Sequence, residues 1–101
     1  MVKPNIIQSK LTWRFMLQDA QKRTDDMLKV DPDWQLAKVI KRQLDFMEQC
    51  TKGNRAPTPE EADRITIGPI AAKNFEVSDP EYATWLKELD YGFRVSWNRL
   101  P

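Results

Sequence analysis

The last part of the chain carries the clearest pattern of apolar and polar positions. Its first residues, Asp79-Pro80-Glu81, suit a helix start, since they supply an amide acceptor, a proline that needs no N–H partner and a charge favoured by the helix dipole. A mostly apolar stripe then recurs at helical spacing, formed by Tyr82, Trp85, Leu86, Leu89, Phe93, Ser96, Trp97 and Leu100. Because so much aromatic surface must be covered by other helices, this segment is predicted to organise the core.

The N-terminal segment has helical periodicity on two faces. A helix is predicted over residues 5–29, after Pro4, which can start it. One face carries Ile6, Trp13, Met16, Leu17, Ala20, Met27 and Leu28, with Thr24 among them. The opposite face carries Ile7, Leu11 and Phe15. This pattern indicates either that the N-terminal half is sandwiched between other helices or that it offers a patch to a partner.

A second helix is predicted over residues 33–51. Pro32 interrupts the first helix, and Asp31 or Asp33 can cap the next one. Its apolar face is formed by Leu36, Val39, Ile40, Leu44, Met47 and Cys50. Cys50 is interpreted as a small core residue rather than a reactive thiol, because a reactive thiol needs a nearby base.

A third helix start is predicted at Thr58, Pro59 and Glu61. Thr58 can cap the helix, Pro59 suits the first helical position, and Glu61 completes a capping box. Residues 64–67 are ambiguous, since their β-branched side chains alternate as in a strand. A single strand without a partner is not stable, so a helical interpretation is preferred there.

The predicted fold class is all-α, with one domain over residues 1–101. We expect a compact bundle of four main helices, the third short and broken near Gly68-Pro69. Gly68 permits either a tight turn or the close approach of another part of the chain. A further helical segment should follow the break, over residues 69–75.

Composition narrows the possible functions. Lys and Arg number 16 and Asp and Glu 15, and this balance argues against a nucleic-acid clamp, a nucleic-acid mimic or a polybasic membrane binder. Histidine is absent and there is one cysteine, so the commonest general base and metal ligand is missing and no intramolecular disulfide can form. No apolar run resembles a signal peptide or spans a bilayer. We therefore expect a cytoplasmic protein without cofactor, metal, nucleic-acid or membrane partner.

Catalytic patterns are also missing. The glycines, Gly53, Gly68 and Gly92, form no phosphate-binding loop. Glu60-Glu61 lies in a predicted first helical turn, where acidic side chains serve the helix dipole. A binding protein is therefore preferred over an enzyme.

The polar side of the last helix carries Lys87, Glu88, Asp90, Arg94 and Asn98, and Tyr91 interrupts it. Lys87, Glu88 and Arg94 lie within one helical turn of it, and Asn98 lies two turns further along the same face. Tyrosine and arginine are enriched among interface hot spots, so these side chains are a candidate binding surface. The alternative is that Tyr91 packs on the segment over residues 66–75.

The second half of the chain resembles a known family. The residues that carry the resemblance are Thr66-x-Gly68-x-Ile70-Ala71-x-Lys73-x-Phe75, Asp79-Pro80-Glu81, Leu86-Lys87, Gln43-Leu44-x-Phe46 and Leu100-Pro101. This pattern is similar to the small helical immunity proteins of bacterial type VI secretion, in particular to the one that neutralises an NAD(P)-glycohydrolase effector. It covers residues 34–101. The chain departs from it at Tyr91-Gly92, where the family's tyrosine-rich segment has one residue more, and in its longer first helix.

The resemblance implies a partner and a mechanism. An immunity protein of this kind binds a cognate bacterial toxin domain across its dinucleotide cleft and excludes the substrate, without catalysis of its own. Tyr91, Arg94, Lys87, Glu88 and Asn98 then become the candidate toxin-binding residues. The alternatives are immunity to another nucleotide-modifying cytoplasmic toxin, and a helical adaptor or oligomeric regulator. The sequence leaves open whether the protein is a monomer or a homodimer.

Overall fold

The computed structural model describes residues 7–101, which consist of helices joined by turns and short irregular segments. Five α-helices follow one another in this range: α1 (Lys10–Val30), α2 (Gln35–Cys50), α3 (Pro59–Asp63), α4 (Ile67–Asn74) and α5 (Pro80–Tyr91). One π-helical turn (Gly92–Ser96) and one 3-10 turn (Trp97–Arg99) continue from α5. The expected roles of Pro4 and Ile6 in the first helix lie outside the described residues.

The predicted fold class is confirmed, because α3 and α4 are the two halves of one broken helix. The break lies at residues 64–66, and Gly68 and Pro69 already belong to the first turn of α4. Thr66 is held there by Gln43 of α2, whose side chain accepts from the Thr66 N–H at 2.8 Å and donates to its hydroxyl at 2.8 Å. These two hydrogen bonds give the N–H and the hydroxyl of Thr66 a partner, so this segment does not need to pair as a strand.

Helix α1 begins later than predicted. Ser9 caps it in a reciprocal capping box with Thr12, so the described residues before Ser9 are not helical. Ile7 is buried, while Leu11 and Phe15 remain 61% and 54% exposed. The interpretation of a first helix covered on both sides is therefore wrong for Leu11 and Phe15.

The start of α2 also differs from the prediction. Trp34 occupies the N-cap position and no side chain caps the helix, so the expected Asp31 or Asp33 cap is wrong. The Trp34 ring instead packs on Phe75 with a centroid distance of 5.9 Å. Packing of the Trp34 ring thus takes the place of a side-chain cap at this helix start. The buried face of α2 consists of Ala37, Ile40, Leu44, Met47 and Cys50.

Trp13 joins the start of α1 to the end of α5. Its indole N–H donates to the Leu89 carbonyl at 3.1 Å, and its ring stacks on Phe93 at 6.3 Å and meets Trp97 edge-on at 5.0 Å. Gly92 makes this approach possible, since a Cβ there would lie 2.6 Å from the Trp13 Cδ1 atom. The two helices are therefore antiparallel and locked at this end by a buried aromatic cluster.

The other end of the α1–α5 pair is held by polar contacts. The hydroxyls of Thr24 and Tyr82 share a buried hydrogen bond of 2.5 Å, and Thr24 also donates to the Ala20 carbonyl. Burial raises the pKa of Tyr82 to about 12. Trp85 is half-buried, and the Arg23 guanidinium lies over its ring at 4.6 Å. The predicted stripe is thus buried at most positions, with Trp85, Ser96 and Leu100 at its margin.

Candidate partner-binding surface

Tyr91 lies at the last position of α5, immediately before the π-helical turn. Its side chain is 45% exposed. The backbone around it is fixed, because Gly92 contacts Trp13 and the preceding residue, Asp90, is buried. An exposed aromatic ring on such a fixed helix end can bind a partner without a large ordering cost.

Arg94 is held one turn further along by an ion pair. Its Nε donates to the Oδ1 atom of Asp90, whose other oxygen accepts the Gly68 N–H at 2.8 Å. Asp90 is 2% exposed, whereas 42% of the Arg94 side chain is exposed. The pair therefore joins a buried carboxylate to a surface guanidinium.

Lys87 and Glu88 are placed differently from Arg94. Lys87 donates to Glu76, next to the end of α4, so its charge is neutralised within the molecule. Glu88 is half-buried. Lys87 therefore serves the α4–α5 junction, which makes it a weaker candidate for partner contact than the sequence pattern indicated.

Asn98 and Arg94 line a common groove of about 410 Å³. The groove lies between the segment that starts α3 and the C-terminal turns, and it is lined by Ala56, Pro57, Thr58, Pro59, Ala62, Asp63, Phe93, Arg94, Val95, Trp97 and Asn98. Of the residues predicted for the binding surface, the structure thus brings Arg94 and Asn98 to one site. Tyr91 lies on the same C-terminal part of the molecule but is not part of the groove lining.

One exposed apolar side chain and one buried acid were missed as parts of this surface or its support. Val95, 50% exposed, lies in the groove lining beside Arg94. Leu11 and Phe15 belong to the separate partner-binding patch that the sequence analysis considered for the first helix, and both are exposed. Asp90 was assigned to the polar side of the last helix, and no sequence signal distinguishes it from its exposed neighbours.

The thiol of Cys50 and the arrangement of metal-binding side chains bear on whether the described residues could support chemistry. Burial raises the pKa of the Cys50 thiol to about 11, with a smaller contribution from Glu61, so this thiol stays protonated near neutral pH. Within residues 7–101, no group of three or more His, Cys, Asp and Glu side chains is arranged to hold a metal ion. None of the helices described is long and apolar enough to cross a membrane.

The comparison with protein families gives one match. The family model described as Tsi6 matches residues 12–95, which include nearly all of α1 and every residue from α2 to α5. Neither the curated proteins nor the solved structures contain a match. Because the matched region covers most of the sequence, the chain belongs to the Tsi6 family of type VI secretion immunity proteins.

Proposed function

We propose that this protein binds a cognate type VI secretion toxin domain and occludes its active site, and that the toxin is an NAD(P)-degrading glycohydrolase. The observation that carries the proposal is the family match over residues 12–95, since family membership indicates an immunity protein that inhibits without being an enzyme. Its site of action is the cytoplasm, where the toxin meets its nucleotide substrate.

The candidate surface has the side chains that a protein-binding site needs. Tyr91 supplies an exposed aromatic anchor, and Arg94 and Asn98 supply polar contacts at the groove between the start of α3 and the C-terminal turns. Anchors of this kind dominate binding energy when they are held on a rigid support and surrounded by a polar rim. Trp13 and Asp90 provide that support through the aromatic cluster and the buried ion pair.

The choice of toxin rests on the residues that resemble one immunity protein. The spacing from Thr66 to Phe75, followed by Asp79-Pro80-Glu81, is the pattern that points to an NAD(P)-glycohydrolase. In the structure these residues form α4 and the start of α5, which pack on each other and position Asp90. Occlusion of a dinucleotide cleft needs no chemistry from the inhibitor.

The proposal is tested by co-expression with a candidate NAD(P)-glycohydrolase toxin domain. Cellular NAD(P)⁺ is measured after toxin induction, with and without this protein, and with an empty vector as control. We expect the nucleotide pool to be preserved only when the protein is present. If the pool falls equally in both cultures, the proposed function is wrong. If the protein rescues growth from a toxin that leaves the NAD(P)⁺ pool intact, it confers immunity to a different nucleotide-modifying toxin.

A further inference from the structure

Arg94 is presented to solvent in one fixed orientation. Its Nε atom is bonded to Asp90 Oδ1, while Asp90 Oδ2 is occupied by the Gly68 N–H at 2.8 Å. Both oxygens of the buried carboxylate are therefore used inside the protein. Since a guanidinium is planar, fixing Nε also fixes the direction of its two terminal nitrogens.

Gly68 allows the Asp90 carboxylate to lie directly against the backbone of α4. A Cβ at that position would lie 2.9 Å from Asp90 Oδ2, so a larger residue would have to displace the carboxylate. The backbone of α4, the buried acid on α5 and the surface arginine are thus one connected unit. The position of Arg94 depends on the packing of α4 against α5.

The outer part of the Arg94 guanidinium is unused. Its two terminal nitrogens have no hydrogen-bond partner among the described residues, although the side chain lines the groove with Asn98. Lys87 is also ion-paired, to Glu76, but its ammonium group is a rotatable point charge without a planar pair of donors. Arg94 is therefore the cation of the predicted surface that offers two donors in a fixed direction to a partner.

We propose that Arg94 binds a carboxylate side chain of the toxin through its two terminal nitrogens, and that Asp90 is the positioning residue for this contact. The inference rests on the proposed function and names the chemistry of the partner at that surface. Parallel hydrogen bonds from a guanidinium match the two oxygens of a carboxylate, and charged bonds of this kind are the stronger ones. Arg94 is the cation of the groove lining and Asp63 is its acid, so a partner carboxylate is attracted by Arg94 and repelled by Asp63, and the contact is placed at the Arg94 guanidinium.

The first experiment measures affinity for the purified toxin domain by calorimetry. The variants are Arg94→Gln, Arg94→Lys and Arg42→Gln, the last being an exposed arginine of α2 that loses the same charge outside the surface. We expect Arg94→Gln to weaken binding by about tenfold or more, Arg94→Lys to weaken it less, and Arg42→Gln to bind as the wild type does. Equal affinity of Arg94→Gln and wild type would overturn the inference.

The salt dependence of binding distinguishes a carboxylate partner from a neutral carbonyl partner. At about 300 mM NaCl the loss caused by Arg94→Gln should be smaller than at about 50 mM, because salt screens an ion pair more than a bond to a neutral carbonyl. A loss that is the same at both salt concentrations would contradict a carboxylate partner.

The positioning role of Asp90 is tested by a double-mutant cycle. Asp90→Asn keeps an acceptor for Gly68 but removes the charge that holds Arg94. In the wild-type background it should weaken toxin binding, and in the Arg94→Gln background it should cause almost no further loss. Equal losses in both backgrounds would show that Asp90 acts through the fold alone.

Failure of this inference can be separated from failure of the proposed function. If the wild type does not bind the toxin domain, both are wrong. If the wild type binds and inhibits the toxin while the Arg94 variants bind equally well, the proposed function stands and the carboxylate contact is wrong.

Discussion

Tyr91 differs from Tyr82, Phe93 and Trp97 in its surroundings. Tyr82 packs edge-on against Phe75, Phe93 and Trp97 pack on Trp13, and each of the three is buried. Tyr91 is 45% exposed and belongs to no aromatic pair in the described part of the chain. This difference in exposure is the reason for assigning it to a binding surface rather than to the core.

A Tyr91→Ala variant separates these two roles. Because the ring is a proposed hot spot, toxin affinity should fall by about 2 kcal/mol or more, mainly through faster dissociation. The free energy of unfolding should change by about 0.5 kcal/mol or less. Melting temperature and toxin affinity are measured on the same preparation. Lost stability with unchanged affinity would assign Tyr91 to the core and make the exposed Leu11 and Phe15 the next candidate surface.

Phe93 and Trp85 belong to the same predicted stripe but should respond differently to truncation. Phe93 is 2% exposed and stacks on Trp13, so Phe93→Ala should cost about 3–5 kcal/mol of unfolding free energy. Trp85 is half-buried under Arg23, so Trp85→Ala should cost clearly less. Chemical denaturation of both variants gives the comparison. Equal losses would contradict the exposure that the structure assigns to Trp85.

The residue scale also shows where periodicity fails. Helical spacing assigned most of the apolar stripe correctly, because each position depends on the direction of its own side chain. Asp90 was assigned to the polar side, yet it is 2% exposed. Its burial depends on the space left by Gly68 on another helix, and this is a tertiary relation that spacing along one helix does not contain.

Among the elements, the locally capped starts of α3 and α5 were predicted correctly. The Thr58–Glu61 capping box and the Asp79 cap are present as expected, since both depend on residues within one turn. The starts of α1 and α2 were predicted wrongly. Ser9 with Thr12 was not recognised as a capping box, and α2 is fixed by packing of Trp34 on a distant residue.

The start of α3 gives a prediction about pH. Hydrogen bonds from the Arg55 guanidinium and then from the Thr58 backbone lower the pKa of Glu61 from 4.5 to about 2. A lowered folded-state pKa stabilises the fold fully above pH 4.5, and the contribution is lost as pH falls towards 2. Glu61→Gln should therefore reduce the melting temperature most near neutral pH and least near pH 2.

Glu60→Gln is the matched control for this prediction, because Glu60 lies in the same first turn but forms no ion pair among the described residues. Its melting temperature should depend on pH more nearly as that of the wild type does. Carbon-13 titration of the Glu61 carboxyl measures the pKa itself. A Glu61 pKa at its ordinary value, 4.5, would show that the pairing with Arg55 does not persist in solution.

For the whole molecule, the sequence predicted the fold class and the order of helices but not the junctions between them. Those junctions depend on close approaches at Gly68 and Gly92, where a neighbouring side chain fills the space of a missing Cβ. The same limitation applies to one part of the candidate surface, the groove. Tyr91 and Arg94 could be named from one helix face, whereas the groove that Arg94 shares with Asn98 requires the start of α3 to pack beside the C-terminal turns.

The central claim is inhibition of an NAD(P)-degrading toxin by occlusion, and a direct titration tests it. Purified protein is added in increasing amounts to a fixed concentration of the toxin domain, and NAD(P)⁺ hydrolysis is followed at several nucleotide concentrations. The account predicts that hydrolysis stops once each toxin domain is bound, and that more nucleotide is needed to restore the rate as inhibitor increases. Hydrolysis that continues at the uninhibited rate with the toxin fully bound would contradict it.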